Sequence, residues 1–301
     1  VNAARGRNRA WTRNADALCA LMREATAALY ACHGRAGVTI HLPARGRLLL
    51  TGDLHDNLPH FEAVCDLAKL DRSSDNHVVL HELIHGDRLV NDMDMSFQML
   101  GRVAELVLEY PHQVHPVLAN HELSQFRGHA VSKGGGDQSV KFTEGLEWIF
   151  GDEADAVADA LDMFIAAMPL AVRTEGGLQF SHSLPGEAML DAFDVGVLNR
   201  ALVEDDYESP SGAAFLMTWG RGHTDRSLDT LAEAWGVQLF VIGHMNVPNG
   251  VDAPFKKLVT LASDHAQGRV IPLDLAEPVT TSYALLDLAV PIASFLRIEG
   301  D

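Results

Sequence analysis

Five short polar segments recur along the chain in a fixed order: Gly52-Asp53-Leu54-His55, Gly86-Asp87, Asn120-His121-Glu122, Ser181-His182 and Gly243-His244. Their side chains are carboxylates, imidazoles and an amide, the groups that hold transition-metal ions. Asp53 and His55 lie two apart, and in extended backbone such residues project to the same side, so one carboxylate and one imidazole can grip the same cation. Asp87 supplies a second carboxylate, whose two oxygens can bridge two cations. Asn120 offers a neutral amide oxygen, and His182 and His244 add two imidazoles. This mixed oxygen and nitrogen set suits Mn, Fe or Zn rather than Ca. Two cations about 3.5–4 Å apart clamp a phosphoryl group and bring the pKa of a shared water toward neutrality, so that the hydroxide attacks phosphorus. The departing oxygen then needs a proton. His121, beside Asn120, is the candidate general acid, because an imidazole titrates near neutral pH.

Segments that serve one site must be delivered to one place. Most of them follow an apolar run that reads as a β-strand, at 47–51, 78–80, 114–118, 177–180 and 238–242. Open α/β sheets bind ligands beyond the carboxyl ends of their strands, where distant parts of the chain meet. Residues 16–33 read as an amphipathic helix, with Leu18, Leu21, Met22, Ala25 and Leu29 at helical spacing and Gly34 and Gly37 behind it. Helices at 58–70 and 95–110 alternate with strands at 77–84 and 114–118, a βαβαβ run typical of a sheet with crossover helices. The segment 125–168 breaks this rhythm with a hinge at Lys133-Gly134-Gly135-Gly136 and helical patterns at 140–150 and 152–168. Such an insertion predicts either a cap over the site or a helix pair packed on the sheet edge. Beyond residue 170, strands are predicted at 257–261, 270–275 and 283–288, with helices at 197–203 and 225–235. The expected organisation is one domain over 1–301, with an N-terminal helical extension at 1–37 and a cap-like insertion at 125–168.

The chain has 301 residues, 47% hydrophobic and 21% charged, enough for a sizeable core and unlike a disordered tail. Lys and Arg number 23 against 41 Asp and Glu, a net charge of −18. That balance disfavours duplex nucleic acid and anionic membranes as partners. Bound cations would reverse the sign locally, so the charge does not exclude an anionic substrate such as a phosphorylated one. Cys19, Cys32 and Cys65 have no zinc-finger spacing and read as reduced, buried thiols. Arg5, Arg7, Arg9 and Arg13 interrupt any signal-peptide core, and no apolar run is long enough for a membrane span, so a cytoplasmic location is expected.

In order and content the segments resemble the calcineurin-like metallophosphoesterase superfamily, whose pattern is Gly-Asp-x-His, Gly-Asp-x-x-Asp, Gly-Asn-His-Glu, a lone His after a strand, and Gly-His. The resemblance runs from residue 47 to about 275. Trp219-Gly220-Arg221-Gly222, Val241-Ile242-Gly243-His244 and the run from Leu258 to Asp264-His265 look like the phosphoprotein-phosphatase branch, especially its bacterial members. The resemblance implies two mixed β-sheets sandwiched between helices in four αββα layers. It implies Asp53 and His55 on a first metal, Asp87 bridging, and Asn120, His182 and His244 on a second. It also implies His121 as the acid, Arg221 on the substrate phosphate, and hydrolysis of a phosphomonoester, including one on a phosphoprotein. A dinucleoside polyphosphate is the alternative substrate.

The second segment departs from the family. Gly86-Asp87-Arg88-Leu89-Val90-Asn91 carries Val90 where an acid should orient the catalytic histidine, and Asn91 where an arginine should meet phosphate. Asp92, Asp94 and Glu122 are the candidate replacements for the acid, and Arg88 and Arg127 for the arginine. The same region holds a rival, because His81-Glu82-Leu83-Ile84-His85 matches the zinc-peptidase pattern, which requires a helix to bring both histidines to one face. Apolar Val78-Val79-Leu80 and the following Gly86 argue for a strand there instead. A non-catalytic member of the fold is the third possibility, set against a complete ligand set.

Overall fold

The structure, a computed structural model, describes residues 9–128 and 137–296, so the predicted hinge at Lys133-Gly134-Gly135-Gly136 lies outside the described residues. Helix α1 (Ala15–Tyr30) begins at Asn14, whose side chain accepts a hydrogen bond from Ala17 N at 2.9 Å as an N-cap. Its buried stripe contains Leu18, Met22, Ala25 and Leu29, as the helical spacing predicts. There follow β1 (Arg35–Ala36), β2 (Thr39–Leu42), β3 (Arg47–Asp53), α2 (Leu58–Ala68), β4 (Asn76–His81), β5 (Leu89–Val90), β6 (Met93–Asp94), α3 (Phe97–Glu109) and β7 (Val114–Val117). Helices α4 (Asn120–Arg127), α5 (Gln138–Phe150) and α6 (Ala154–Ala166) precede β8 (Ala171–Thr174) and β9 (Leu178–Ser181). Then come α7 (Ala213–Trp219), α8 (Asp225–Trp235), β10 (Leu239–Ile242), β11 (Val251–Phe255), β12 (Leu258–Leu261), β13 (Arg269–Asp274), α9 (Ser282–Leu288) and β14 (Val290–Pro291).

Two large mixed sheets form. One has the order β1-β2-β8-β9-β10-β12-β11 and the other β14-β13-β3-β4-β7. Alternation along each strand divides the core in two. Leu48, Leu50 and Val79 of one sheet meet Phe180, Leu239, Val241 and Val259 of the other in a shared apolar layer. Their neighbours Leu49, Val78, Leu80, Phe240 and Ile242 belong to a separate cluster built with the helices. This is the sheet sandwich flanked by helices that the family resemblance implies.

The strands β3, β4 and β7 run parallel, as do β9, β10 and β12, so in each sheet three carboxyl ends share one edge. The two edges touch where Asp53 bridges to Ala262 and Ser263 N donates to Asp53 O at 3.1 Å. Gly52 permits this approach, since a Cβ there would stand 2.1 Å from the Leu261 carbonyl oxygen.

Five elements differ from their sequence-based expectation. β4 stops at His81, short of the predicted end at 84, because Glu82 turns the chain with a φ of 49°. Residues 82–85 are therefore not helical, and the helix that a zinc-peptidase site needs is absent. The run predicted as a strand at 283–288 is helix α9, started by Thr281, whose side chain accepts from Ala284 N at 3.2 Å. The helix predicted at 197–203 reduces to a single turn, Val197–Asn199. The short helices α4 and α7 had no predicted counterpart.

The helices of the 125–168 insertion lie on a flank. α6 packs along α1, and α5 packs on α6 and β6. Cys19, Cys32 and Cys65 are free and buried. Among the described residues, no helix is long and apolar enough to cross a membrane.

Candidate metal centre

The joined sheet edges enclose a cavity of about 530 Å³ lined by Asp53, His55, Glu82, Asn120, His121, Trp219, Arg221 and His244, among others. Asp53 ends β3, and both of its carboxylate oxygens accept from His244 N at 3.1 Å. Gly243 makes room for this contact, because a Cβ there would stand 2.1 Å from Asp53 Oδ1. His55 sits in a turn with a φ of 44°, and its Nδ1 donates to the Ile84 carbonyl at 3.3 Å. Its Nε2 faces Glu82 Oε2 at 3.5 Å. Asn120 opens α4 at the end of β7, and its Oδ1 lies 2.5 Å from His182 Nε2 and 3.0 Å from His244 Nδ1. Those two histidine nitrogens are 3.2 Å apart. His182, fully buried behind the cavity, follows β9, and His244 follows β10.

The acid between these groups is Glu82, not Asp87. Glu82 is 2% exposed, with Oε2 toward His55 and Oε1 3.5 Å from His121 Nε2 and 3.9 Å from His182 Nε2. Asp87 is exposed and does not line the cavity. The cause is the early end of β4: Glu82 is the first residue beyond the strand, and Asp87 lies five residues further along a loop leading away. Glu122, itself fully buried, holds that loop, accepting from Leu83 N at 2.7 Å and Ile84 N at 3.2 Å. Burial pushes its carboxyl up to about 7.

The donor atoms fit cations. His55, Glu82 and His121 bring ligand atoms within 4.8 Å of one another, as do Asp53, His81 and His182. Burial drives the His244 ring down to about 3 and the His182 ring well below the usual histidine range, so both are neutral and carry a lone pair. Lone-pair donors that face one another at 2.5–3.2 Å in a buried pocket are satisfied by a shared positive ion.

Arg221 lines the cavity and is exposed toward it, close to Met245 Sδ at 3.5 Å. The two other candidate arginines do not line it. Arg88 donates to Asp56 Oδ2 at 2.9 and 3.2 Å, and Arg127 pairs with Glu204 and Glu208 and lies over the rings of Phe126 and Tyr207. Of the three candidate orienting acids, Asp92 is exposed and paired with Lys141 at 2.6 Å, and Glu122 is engaged with the loop. Asp94 is buried and reaches His85, with Oδ2 2.8 Å from His85 Nδ1. The His85 ring lies 5.4 Å from the His121 ring and is met edge-on by Phe142 of α5 at 5.7 Å. Among the described residues 137–168, none lines the cavity; through Phe142 this segment touches the site from behind.

A family model for calcineurin-like phosphoesterases matches residues 46–248, which contain every cavity residue named above. The chain is a calcineurin-like phosphoesterase. Among solved structures, this phosphoesterase is similar to a protein serine/threonine phosphatase from Saccharomyces cerevisiae with similarity to human phosphatase PP5. The identity is 13%, the TM-score 0.63, and the match covers 87% of this chain and 83% of the yeast chain. It is also similar to a cold-active protein tyrosine phosphatase, at 14% identity and a TM-score of 0.51 over 78% of this chain and 75% of the other. A cold-active protein-tyrosine phosphatase of a psychrophilic Shewanella species matches at 13% identity and a TM-score of 0.48, covering 78% of this chain and 77% of that one. At these identities the likeness concerns the fold. No curated protein sequence matches the phosphoesterase. The family is metal-dependent, and the described residues include two groups of candidate ligands.

Proposed function

We propose that this phosphoesterase hydrolyses a phosphomonoester with the help of two transition-metal ions of the Mn, Fe or Zn class. Asp53, His55 and Glu82 would hold one ion, and Glu82, Asn120, His182 and His244 the other. The observation that carries this reading is the position of Glu82, a single buried carboxylate with one oxygen toward His55 and the other toward His182. When bound, such a pair neutralises charge on the phosphoryl group and makes water nucleophilic near neutral pH.

The residues around the pair have separate tasks. Arg221 is the cavity arginine left for substrate, since Arg88 and Arg127 are engaged elsewhere, and its guanidinium matches two phosphate oxygens. His121 delivers a proton to the departing oxygen. Asp94 supports it at one remove: it fixes the proton on His85 Nδ1, leaving the buried Nε2 as an acceptor on the ring beside His121. The acid that the family pattern places directly behind this histidine is thus replaced by a carboxylate and an imidazole in series. The serine/threonine and tyrosine phosphatases that share the fold act, by name, on phosphorylated proteins. A phosphorylated side chain is therefore within the substrate class proposed here.

Turnover of an aryl phosphate by chelator-treated protein, with and without added Mn²⁺, tests the reading. Hydrolysis is expected only with the ion. His121→Asn should lower kcat by about 10²–10⁴-fold while leaving the ions bound. Equal turnover with and without metal would overturn the proposal, and unchanged kcat would remove His121 from it.

A further inference from the structure

His81 belongs to none of the ligand sets proposed above, yet its ring lies fully buried directly behind them. Its Nε2 is 3.0 Å from the carbonyl oxygen of Thr51. A carbonyl oxygen only accepts, so Nε2 carries the proton of the ring. Its Nδ1 is 3.0 Å from Nδ1 of His182. In a neutral ring that second nitrogen is a lone pair, so His81 accepts and the Nδ1–H of His182 donates. The lone pair of His182 is then on Nε2, the nitrogen turned toward Asn120, His244 and Glu82.

We infer that His81 is a positioning residue, which relays the hydrogen-bond polarity of the Thr51 carbonyl to His182 and so aims the lone pair of His182 Nε2 into the cation site. The need for it is local. Asn120 Oδ1 lies 2.5 Å from His182 Nε2 and would accept a proton from it, a tautomer that blocks the ligand nitrogen. Metal-binding histidines are ordinarily oriented by a carboxylate or a backbone carbonyl. Here a neutral imidazole extends the reach of a carbonyl, which adds no further negative charge to a pocket already holding Asp53 and Glu82. The fold makes space for this ring. A Cβ on Gly243 would stand 2.3 Å from His81 Cε1, and the ring of Phe180 meets His81 edge-on at 4.9 Å. The last residue of β4 and the first beyond it thus serve one centre from two directions, His81 from behind and Glu82 from between the ligands.

The role of His182 as a ligand rests on the two-cation reading, whereas its tautomer is a property of the cation-free protein. Long-range ¹H–¹⁵N correlation of the metal-free, ¹⁵N-labelled protein reads both nitrogens of each histidine. We expect His182 to carry its proton on Nδ1. His81→Phe should move it to Nε2, while His81→Asn, whose amide oxygen can stand where Nδ1 stood, should keep it on Nδ1. In chelator competition with Zn²⁺, His81→Phe should weaken one of the two binding steps by about 10–100-fold, and His81→Asn should stay close to the unaltered protein. A proton on His182 Nε2 in the unaltered protein would overturn the inference without any variant. Direct Zn²⁺ ligation by His81 Nδ1, seen as a metal-induced ¹⁵N shift at that nitrogen, would overturn it too, since His81 and His182 also form a possible ligand group with Asp53. The expected tautomer in a protein that binds fewer than two zinc ions would support the inference while sinking the two-cation reading.

Discussion

Arg221 and Arg127 separate what a residue type suggests from what its surroundings allow. Arg127 is held by two glutamates and two aromatic rings, so Arg127→Ala should leave kcat/KM for an aryl phosphate within about twofold. Arg221→Ala should lower it by about 10–100-fold, matching the loss of a charged hydrogen bond of about 1.5–3 kcal/mol. Steady-state kinetics on the two variants checks both, and the reverse order would move phosphate binding to the other arginine. Motif and strand position together made Asp53, His55, Asn120, His121, His182, His244 and Arg221 legible in the sequence, and all seven line the cavity or stand directly behind it. Glu82 was not, because the Gly86-Asp87 pair copies the family pattern while the true strand end comes earlier. The missed signal was positional: Asp53 ends its strand, and Glu82 is the first acid after the apolar run 78–80. His81 closes that strand and His85 lies in the loop beyond it, and neither carries a local signal that sets it apart from the zinc-peptidase pattern.

At the scale of elements, apolar periodicity identifies what is packed on one face and fails where a single side chain decides. Helix α1 and strands β3, β4 and β10 were readable because a stripe or a run of apolar residues is buried. Helix α9 was misread because a cap at Thr281, rather than any long apolar stripe, starts it. The end of β4 depends on a positive φ at Glu82 and a buried carboxylate from a remote helix, neither of which has a local pattern. Helix α6 carries a testable electrostatic cost. Burial, with a smaller contribution from Asp159 one turn away, raises the Asp162 carboxyl from 3.8 to about 7. Its folded pKa lies above its unfolded value, so its contribution to stability is fully present below about pH 4 and is lost as pH rises through about 7. Asp162→Asn should therefore raise the Tm by at least about 2 °C at pH 8 and change it little at pH 4, as measured by thermal unfolding at both pH values. A stabilisation that is larger at low pH would contradict the burial argument.

Two sheets join along one edge, and at that junction β3, β4, β7, β9 and β10 present their carboxyl ends together. Around it spreads a surface with a net charge of −18. An anionic substrate must approach through that field, which is screened over about 8 Å at physiological ionic strength and about 30 Å at 0.01 M. The kcat/KM for an aryl phosphate should accordingly rise with salt between about 10 and 150 mM. A fall over that range would mean that the local positive charge of the centre outweighs the surface. Metal content measured alongside turnover decides which acid joins the two halves of the centre. Glu82→Gln is expected to bind fewer than two ions and to lose phosphatase activity, whereas Asp87→Asn is expected to keep both ions and its rate. Full metal content and activity in Glu82→Gln, with both lost in Asp87→Asn, would give the bridging role to Asp87 instead.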